Sequence, residues 1–492
     1  MIADIPDLLA RRAALSPHKP AMEQAATGRT LTYAELECRA SQAAALMQEA
    51  GIGEGDRVAI LCRNRTEFFE ILFGCAKIGA ILVPLNWRMP PAELDQLVAD
   101  CEPKLLFHGS EDAAAAAHLD PPQSIGLDDH YQQQLAGTAV RQFRASWPAE
   151  QIWYLLYTSG TTGRPKGVIY NYRMALANYV NIGAAIDLAS TDSIACFLPL
   201  FHTAGINLHA LPTLIAGGRV IMLDSFDADA VVTLLEQRRL DAFFAVPTVY
   251  QALADHPRFA AAPLGHVRNW GCGGAPLPDM LVERYRALGV KVCNGMGMTE
   301  TGPTAFLAAP EDAWEKIGSV GKPQLLCRVR IVDPAGRDVP DGEVGDLLFG
   351  GPGVTPGYWR NEEANRACFT DDGWLRSGDL ARRDAEGFYY VAGRRKEMFI
   401  SGGENVYPAE VENVLCTHPQ ISEAAVVPMQ DLIWGEVGRA FVRPRNGTPL
   451  GTEELDAYCR TRLAPYKVPK RYDFVSDFPR TAAGKIQKHL LA

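Results

Sequence analysis

A loop rich in glycine and hydroxyl groups follows a predicted buried strand in this sequence. Residues 157–168 read Tyr-Thr-Ser-Gly-Thr-Thr-Gly-Arg-Pro-Lys-Gly-Val, after the apolar run Ile152 to Tyr157. Glycines let backbone N–H groups approach a ligand, hydroxyls donate hydrogen bonds and Lys166 adds a point charge, so the loop can wrap a polyphosphate. In the common nucleotide loop Ser or Thr follows Gly-Lys, whereas Gly167 follows here, which argues against an ordinary P-loop ATPase. A flexible linker is disfavoured, because linkers do not follow a buried strand.

Four further motifs combine glycine with charged or hydroxyl side chains. Residues 294–300 (Asn-Gly-Met-Gly-Met-Thr-Glu) follow a strand-like run, and their glycines permit close approach of a flat ligand. Residues 373–379 (Gly-Trp-Leu-Arg-Ser-Gly-Asp) also end in a carboxylate. Residues 393–412 contain two adjacent arginines, a lysine and the segment Ser-Gly-Gly-Glu-Asn. Residues 479–485 read Pro-Arg-Thr-Ala-Ala-Gly-Lys.

The five motifs occur in the order typical of one known superfamily. The sequence resembles the adenylate-forming enzymes, which comprise acyl- and aryl-CoA synthetases, adenylation domains and luciferases, and is most similar to the acyl- and aryl-CoA ligases. The resemblance implies an ATP-dependent acid–CoA ligase. In such an enzyme a carboxylic acid and ATP give an acyl-adenylate and pyrophosphate, and the CoA thiol then displaces AMP. ATP, Mg²⁺ and coenzyme A are the implied cofactors and co-substrates.

The resemblance also implies roles for individual residues at the nucleotide. Thr299 is expected to bind phosphate and Glu300 to bind Mg²⁺, for which a carboxylate is a suitable hard ligand. Asp379 is expected to accept hydrogen bonds from the vicinal ribose hydroxyls. Met296 replaces the aromatic ring that usually stacks on adenine, so weaker stacking is expected. The predicted ATP- and AMP-binding residues are Thr158, Ser159, Gly160, Thr161, Thr162, Gly163, Lys166, Gly274, Ala275, Pro276, Asn294, Gly295, Met296, Gly297, Met298, Thr299, Asp379, Arg394 and Lys485.

Two lysines are implied to serve the two half-reactions. Lys485 matches the catalytic lysine of the family and is expected to stabilise the negative charge that builds on the transferred phosphate. Lys396 occupies the hinge position, about which a small C-terminal domain reorients. Trp434 matches a position that stacks on the CoA adenine in some aryl-CoA ligases, although an ordinary core or surface aromatic is the alternative. The predicted CoA-binding residues are Ser401, Gly402, Gly403, Glu404 and Trp434.

The acyl site is predicted around residues 199–205, Pro-Leu-Phe-His-Thr-Ala-Gly. By resemblance, His202 is expected near the reacting carboxylate and joins Lys485, Thr299 and Glu300 among the predicted catalytic residues; a buried structural histidine is the alternative. Small residues around His202 favour an aromatic, cinnamate-like or medium-chain acid over acetate. No arginine is evident that must read a second carboxylate. The predicted acyl-pocket residues are His202, Ala204, Gly205, Gly273 and Gly297.

Two other functions fit parts of the pattern. An adenylation enzyme that loads the phosphopantetheine of a carrier protein would show the same five motifs, but Trp434 and the single-module length favour CoA. A non-catalytic nucleotide-binding relative would be expected to lose some of the charged motif residues. All of these are present, namely Lys166, Glu300, Asp379, Arg394 and Lys485.

The predicted elements form an α/β fold with two unequal domains. Strands alternate with helices in the first third and over residues 151–320, which predicts doubly wound parallel sheets. Short strands divided by turns from Val329 to Tyr390 predict a small antiparallel β-subdomain. The resemblance places the junction between two domains at residues 393–396. The units that it implies are an N-terminal AMP-binding domain (1–392, with the β-subdomain at about 325–392), a hinge (393–396) and a small, mobile α+β C-terminal domain (397–492).

Several individual elements can be predicted from spacing. Residues 109–150 show little pattern and are interpreted as a variable surface segment with one short helix at 113–117. Thr32 and Glu35 have the spacing of a capping box. The other predicted elements are strands at 56–61, 81–85 and 105–107 and helices at 66–79 and 91–101.

Composition limits the remaining alternatives. The chain has 492 residues with 47% hydrophobic and 22% charged residues, and its net charge of −10 argues against non-specific nucleic-acid binding. No basic segment precedes an apolar one at the N-terminus, and Lys77 interrupts the longest apolar run, so neither a signal peptide nor a membrane span is predicted. Eleven cysteines without a Cys-x-x-Cys pair indicate reduced thiols in a cytoplasmic protein. The oligomeric state, a homodimer among the options, is left open.

Overall fold

The computed structural model describes residues 3–158, 165–445, 450–480 and 486–491. Two sheets and the helices Tyr33–Glu49, Thr66–Ile78 and Tyr172–Ile186 share the largest hydrophobic core. The larger sheet is parallel except for the first pair of strands, which is antiparallel. In spatial order its strands are Lys166–Asn171, Ile152–Thr158, Ile81–Pro84, Arg57–Leu61, Leu105–His108 and Ser124–Gly126.

The second sheet is mainly parallel, and the third has two parallel and two antiparallel strand pairs. The second sheet shares the first core. A separate core lies between the second and third sheets, with Ile221 from the second sheet and aromatic side chains such as Phe243 and Trp270 from the third. The second sheet has the order Ser193–Cys196, Arg219–Met222, Pro20–Gln24 and Thr30–Thr32, and the third has the order Ala242–Ala245, Asn269–Cys272, Val292–Met296, Phe306–Leu307 and Lys322–Pro323.

The fourth sheet is antiparallel throughout. Its core contains Phe306 of the third sheet together with Phe349 and Tyr389, so the two sheets pack against each other. The register places Asp379 directly opposite Arg394 on the last two strands. In order, the strands are Arg328–Val332, Gly345–Gly350, Leu375–Arg383 and Tyr389–Arg394.

Residues from Phe399 onward form a further sheet with a hydrophobic core that contains only residues of this C-terminal part. The helices Pro408–Cys416 and Thr452–Arg460 pack in that core. Four strands have the order Glu404–Val406, Phe399–Ser401, Gly435–Pro444 and Ile421–Asp431, and Arg471–Phe474 pairs with Gly435–Pro444.

The remaining α-helices connect these strands, and none of the helices in the described ranges has the length and apolarity that a membrane crossing requires. A separate strand pair, Asp4–Pro6 with Ser146–Pro148, contributes Ile5 and Trp147 to the first core. A π-helix, Ala204–Ala210, precedes the helix Leu211–Ala216. The other α-helices are Leu8–Leu15, Pro91–Cys101, Ala113–His118, Asp129–Gly137, Ala228–Glu236, Pro247–Asp255, Asp279–Arg286 and Glu362–Cys368.

Most of the predicted elements are confirmed. The capping box at Thr32 is present with both of its hydrogen bonds, and the helix Thr66–Ile78 ends at Gly79, whose φ of 71° is a left-handed conformation that favours glycine. The interpretation of residues 109–150 as a mostly unpatterned surface segment is wrong. It includes the helix Asp129–Gly137, which Asp128 caps and which buries Tyr131 against the first core.

Candidate active site

The predicted phosphate loop connects two neighbouring antiparallel strands. Ile152–Thr158 leads into the loop and Lys166–Asn171 leads out of it, so Thr158 and Lys166 lie opposite each other in the register. The hydroxyl of Thr158 donates to the carbonyl oxygen of Lys166 at 3.5 Å. The predicted loop residues Ser159, Gly160, Thr161, Thr162 and Gly163 lie outside the described residues.

Lys166 and Glu300 contact the same tyrosine. Glu300 is buried in the 3-10 turn Thr299–Thr301, and its Oε1 accepts a hydrogen bond from the Tyr358 hydroxyl at 2.8 Å. The Nζ of Lys166 lies 5.2 Å from the centroid of the Tyr358 ring, a cation–π distance. Burial, and then the nearby Glu300 carboxylate, raise the pKa of Tyr358, so its hydroxyl stays a donor at neutral pH.

Backbone contacts hold this arrangement in place. The N–H of Thr355 donates to the Glu300 carbonyl at 2.8 Å, and the Thr355 hydroxyl donates to the carbonyl of Ile169 at 2.7 Å. The N–H of Trp359 donates to the Gly167 carbonyl at 2.7 Å. The segment from Thr355 to Trp359 therefore connects the turn that carries Glu300 to the strand that carries Lys166.

Tyr170 links the predicted phosphate residue to the predicted acyl segment. Its buried hydroxyl donates to the Thr299 carbonyl at 2.6 Å and lies 2.8 Å from the Thr203 hydroxyl oxygen. Burial raises the pKa of Tyr170, so the hydroxyl remains protonated. Thr203 directly follows His202, so His202 lies on a segment that is anchored to the Glu300 turn.

His202 is half-buried and lies two residues before the π-helix Ala204–Ala210. Its Nδ1 accepts a hydrogen bond from the N–H of Ala204 at 3.2 Å, so the proton of the neutral ring lies on Nε2. A side chain at Gly205 would overlap the carbonyl of Pro199. A glycine is thus needed at position 205 for close backbone packing. The prediction from the sequence was instead that Gly205 lines the acyl pocket.

The predicted adenine and acyl glycines lie at the carboxyl ends of adjacent parallel strands. The N–H of Gly273 donates to the Ala245 carbonyl at 3.3 Å, and exposed Gly274 has a φ of 82°. At Gly297 a Cβ would overlap the carbonyl of Pro303. The chain continues from Gly274 into Ala275 and Pro276, and the neighbouring strand Val292–Met296 contains Gly295.

The three remaining residues of the 294–298 segment have structural contacts. The Asn294 side chain donates to the Ser319 carbonyl at 2.9 Å. Met296 and Met298 are half-buried and pack against the core of the antiparallel sheet. Met296 therefore keeps part of its thioether side chain accessible, as packing against an adenine face would require.

The predicted ribose residues form an ion pair. Buried Asp379 lies 3.0 Å from the Nε of half-exposed Arg394, and the N–H of Asp379 donates to the Ser377 hydroxyl at 2.9 Å. Gly378 lies between Ser377 and Asp379 and has a φ of 75°, so the chain bends at this position. The two charged side chains thus meet at the end of the antiparallel sheet, next to the residues 395–398 that lead to the C-terminal sheet.

The predicted CoA residues lie together in the C-terminal part. The N–H of Gly402 donates to the Trp434 carbonyl at 2.9 Å, and a Cβ at Gly402 would lie 2.6 Å from the Trp434 ring. Lys470 lies over that ring at 5.3 Å. Ser401 is buried, whereas Gly403 and Glu404 are exposed, as is the predicted hinge residue Lys396. Lys485 lies outside the described residues.

Three residues near these sites were missed by sequence reasoning. Tyr358 and Tyr170 stand 58 and 129 positions from the residues that they bond, so no local spacing identifies them. Lys488 follows Lys485 by three positions, and that proximity is a signal that could have identified it. Its Nζ lies 2.7 Å from both Glu397 and Glu412.

Comparison with known proteins agrees with this geometry. Residues 9–359 match the family described as AMP-binding enzyme, and residues 410–485 match the AMP-binding enzyme C-terminal domain. A feruloyl-CoA synthase of an Amycolatopsis species is 41% identical over 97% of this chain and 96% of its own length. An indoleacetate–CoA ligase of Aromatoleum aromaticum is 37% identical over 99% of this chain and 97% of its own.

A solved structure agrees over the whole chain. The O-succinylbenzoate coenzyme A synthetase from Bacillus subtilis, in complex with ATP and magnesium ion, has a TM-score of 0.90 and 32% identity, and 99% of each chain is covered. The predicted superfamily and the mixed α/β architecture are therefore confirmed. The chain belongs to the family of AMP-binding enzymes and is an ATP-dependent acid–CoA ligase.

Proposed function

We propose that the acid is an aromatic, cinnamate-like acid, and a medium-chain fatty acid is the alternative. Two relatives support an aryl acid, because their names denote feruloyl and indoleacetate ligases. Of the small residues that follow His202, Ala204 is half-buried and would border a ring, whereas Thr203 and Gly205 are packed into the interior. The observation that carries the ligase chemistry is the placement of Lys166 and Glu300 on one buried tyrosine beside the phosphate loop.

The carboxylate of Glu300 is suited to bind Mg²⁺. Its carboxylate has lone pairs beyond the one that accepts from Tyr358, and it offers the hard oxygen that Mg²⁺ prefers. Within the described ranges, no group of three or more His, Cys, Asp or Glu side chains could hold a metal ion. Phosphate oxygens and waters would complete the coordination, which is usual for Mg²⁺. When bound, Mg²⁺ supplies charge neutralisation at the phosphates.

In the proposed first half-reaction the acid's carboxylate attacks the α-phosphorus of ATP, and pyrophosphate leaves. The acid is itself the nucleophile, so no protein nucleophile is needed. Lys166, Lys485 and the phosphate loop hold the phosphates and oppose the charge that develops on their oxygens. Asp379 and Arg394 orient the ribose, and Thr299 contacts phosphate.

In the proposed second half-reaction the C-terminal domain turns about Lys396. Lys485 then leaves the active site, and the segment from Ser401 to Glu404 turns to face the acyl-adenylate. The CoA thiol attacks the acyl carbon of the adenylate, and AMP departs. Trp434 would stack on the CoA adenine. The proposal includes an N-terminal domain of residues 1–392, a hinge of residues 393–396 and a C-terminal domain of residues 397–492.

An acid panel and two thiol acceptors test the function. Pyrophosphate release is measured for cinnamates, medium-chain acids and acetate, followed by thioester formation with free CoA or with a phosphopantetheinylated carrier protein. We expect an aromatic acid to give the highest kcat/KM and free CoA to be the acceptor. Faster transfer to the carrier protein would overturn the choice of CoA, and a preference for acetate would overturn the choice of acid.

Replacing Asp379 by alanine is expected to weaken ATP binding by about 10- to 100-fold, since hydrogen bonds to a charged group are lost. Equilibrium binding of ATP measures the effect. The matched control is Asp372→Ala in the adjacent turn, where the carboxylate is 64% exposed and lies 3.5 Å from Arg330. This control should keep normal affinity. Unchanged affinity in Asp379→Ala would contradict the ribose assignment.

Replacing Lys488 by glutamine is expected to slow adenylation by about tenfold. Burial alone would lower the Lys488 pKa, but Glu412 and Glu397 outweigh it and raise that pKa, so the side chain stays charged. The two ion pairs hold the chain just after Lys485 against the helix Pro408–Cys416 and against Glu397, which follows the hinge. Glutamine loses both charge-assisted contacts.

The test of Lys488 compares the two half-reactions. Pyrophosphate release should fall more than thioester formation from supplied acyl-adenylate, and Lys488→Arg should recover most of the rate because it keeps the charge. An equal loss in both half-reactions would show that Lys488 only stabilises the C-terminal fold.

The cytoplasm is the proposed location, because all eleven cysteines are unpaired thiols, as expected in a reducing compartment. We also propose that the protein forms a homodimer, and a measurement of its molecular mass in solution tests this oligomeric state. Nucleic acid is not among the proposed partners.

A further inference from the structure

Four buried side chains form a directional chain of hydrogen bonds that ends at the carbonyl oxygen of Thr299. Tyr154 donates to Oδ1 of the Asn207 amide at 2.7 Å, and Nδ2 of the same amide donates to Oγ1 of Thr203 at 3.3 Å. The Tyr170 hydroxyl donates its only proton to the Thr299 carbonyl at 2.6 Å. The Thr203 hydroxyl, 2.8 Å from that of Tyr170, is therefore the donor in their contact.

Burial gives this chain a single geometry. Its four side chains expose between 0% and 4% of their surface. Hydrogen bonds are stronger and polarise one another where the local dielectric is low, whereas a group left unpaired there is costly. The rings of Tyr154 and Tyr170 also stack, with centroids 4.9 Å apart and an interplanar angle of 17°. Removing one hydroxyl therefore disturbs the groups on both sides of it.

The chain joins the phosphate loop, the predicted acyl segment and the turn that carries Glu300. Its two tyrosines face each other on the strands that flank the loop. Thr203 directly follows His202, and Asn207 belongs to the π-helix that begins at Ala204. Short π-helical segments are frequent at functional sites. An acid beside His202 and a nucleotide at Glu300 would thus be held by segments that share one buried framework.

We propose that Tyr170 and Thr203 are positioning residues for the first half-reaction. They hold the segment at the acid and the turn at the nucleotide in a fixed relation, so that the carboxylate lies in line with the α-phosphorus. A misplacement of about 1 Å can lower such a rate by about 10²-fold. In the acyl-adenylate a covalent bond already joins the two groups, so the second half-reaction does not need this alignment. The inference rests on the proposed roles of His202, Thr299 and Glu300.

Tyr170→Phe makes the smallest change to the chain, because it removes one oxygen and keeps the stacked ring. We expect kcat for pyrophosphate release, measured with the best acid of the panel, to fall by about 10- to 100-fold. KM for ATP and KM for the acid should each stay within about twofold, since the loss lies in the transition state. Thioester formation from supplied acyl-adenylate should be largely retained.

Thr203→Val and Thr203→Ser form a matched pair that tests the same chain if the tyrosine variant does not fold. Valine has the shape of threonine without the hydroxyl, and we expect it to slow pyrophosphate release by about tenfold. Serine keeps the hydroxyl and should recover most of the rate. The double variant of Tyr170→Phe with Thr203→Val should be about as slow as the slower single variant, because both changes break one chain.

Tyr172→Phe is the control for the loss of a buried hydroxyl. Tyr172 is 4% exposed and donates to the carbonyl of Ala76 at 3.2 Å, on a helix that carries no proposed site residue. Both half-reactions should stay near normal in this variant. Equal losses of both half-reactions in Tyr170→Phe, the same loss in Tyr172→Phe, or no recovery in Thr203→Ser would each overturn the positioning role.

A failure of the proposed site roles has a different signature. In that case Glu300→Gln would release pyrophosphate at the normal rate, and the inference would fall with the roles on which it rests. Normal loss of activity in Glu300→Gln together with an unchanged kcat in Tyr170→Phe and in Thr203→Val would overturn the positioning role alone.

Discussion

Replacing Lys485 by alanine is expected to lower acid-dependent pyrophosphate release by about 10²- to 10³-fold, the usual effect of removing one preorganised donor from a charged transition state. Charge builds on the oxygens of the transferred phosphate, and this lysine is proposed to oppose it. The side chain is proposed to leave the site before CoA reacts. Thioester formation from supplied acyl-adenylate should therefore be largely retained, and separate assays of the two half-reactions measure the difference.

Lys467→Ala is the control for a nonspecific effect on the C-terminal part. Its ammonium forms an ion pair with Glu410 at 2.7 Å, and such surface pairs contribute little to stability. Both half-reactions should stay near normal in this variant. Equal losses of both half-reactions in Lys485→Ala would contradict its assignment to the first step alone.

Local patterns predicted most of the elements that position the site. Alternating apolar strands and helices with recognisable ends identified the helix Pro91–Cys101 at its observed bounds, and turn residues identified the antiparallel sheet. The helix Asp129–Gly137 escaped prediction, since only Tyr131 and Leu135 of its nine residues are buried and the apolar period is faint. The π-helix Ala204–Ala210 was also not predicted, because its hydrogen-bond pattern depends on packing rather than on composition.

Residues of the candidate site could be predicted from the sequence where they belong to a recognisable motif. Asp379 and Arg394 belong to two motifs, and strand register places them opposite each other, which spacing alone does not indicate. Tyr358 has no motif role in the sequence, yet it contacts both Lys166 and Glu300. Such contacts arise only when distant segments pack together.

Replacing Glu300 by glutamine is expected to reduce pyrophosphate release by about 10²- to 10³-fold, because a neutral amide is a weaker ligand for the Mg²⁺ that would neutralise the phosphates. The amide keeps the volume of the side chain and can still accept from the Tyr358 hydroxyl, so the fold should be retained. If Glu300 binds Mg²⁺, the variant should also need more Mg²⁺ for half-maximal rate. A Mg²⁺ titration of the initial rate, with thermal unfolding measured in parallel, tests both expectations.

Tyr358→Phe separates the carboxylate from its hydrogen bond. Phenylalanine keeps the ring beneath Lys166 and removes only the hydroxyl that donates to Glu300 at 2.8 Å. Because Glu300 itself is unchanged in this variant, the rate should fall by less than about tenfold, the scale of one ordinary hydrogen bond. A Mg²⁺ dependence of Glu300→Gln identical to that of the unmodified protein would contradict the metal assignment. A loss in Tyr358→Phe as large as that in Glu300→Gln would assign the effect to the geometry of the turn instead of to the charge.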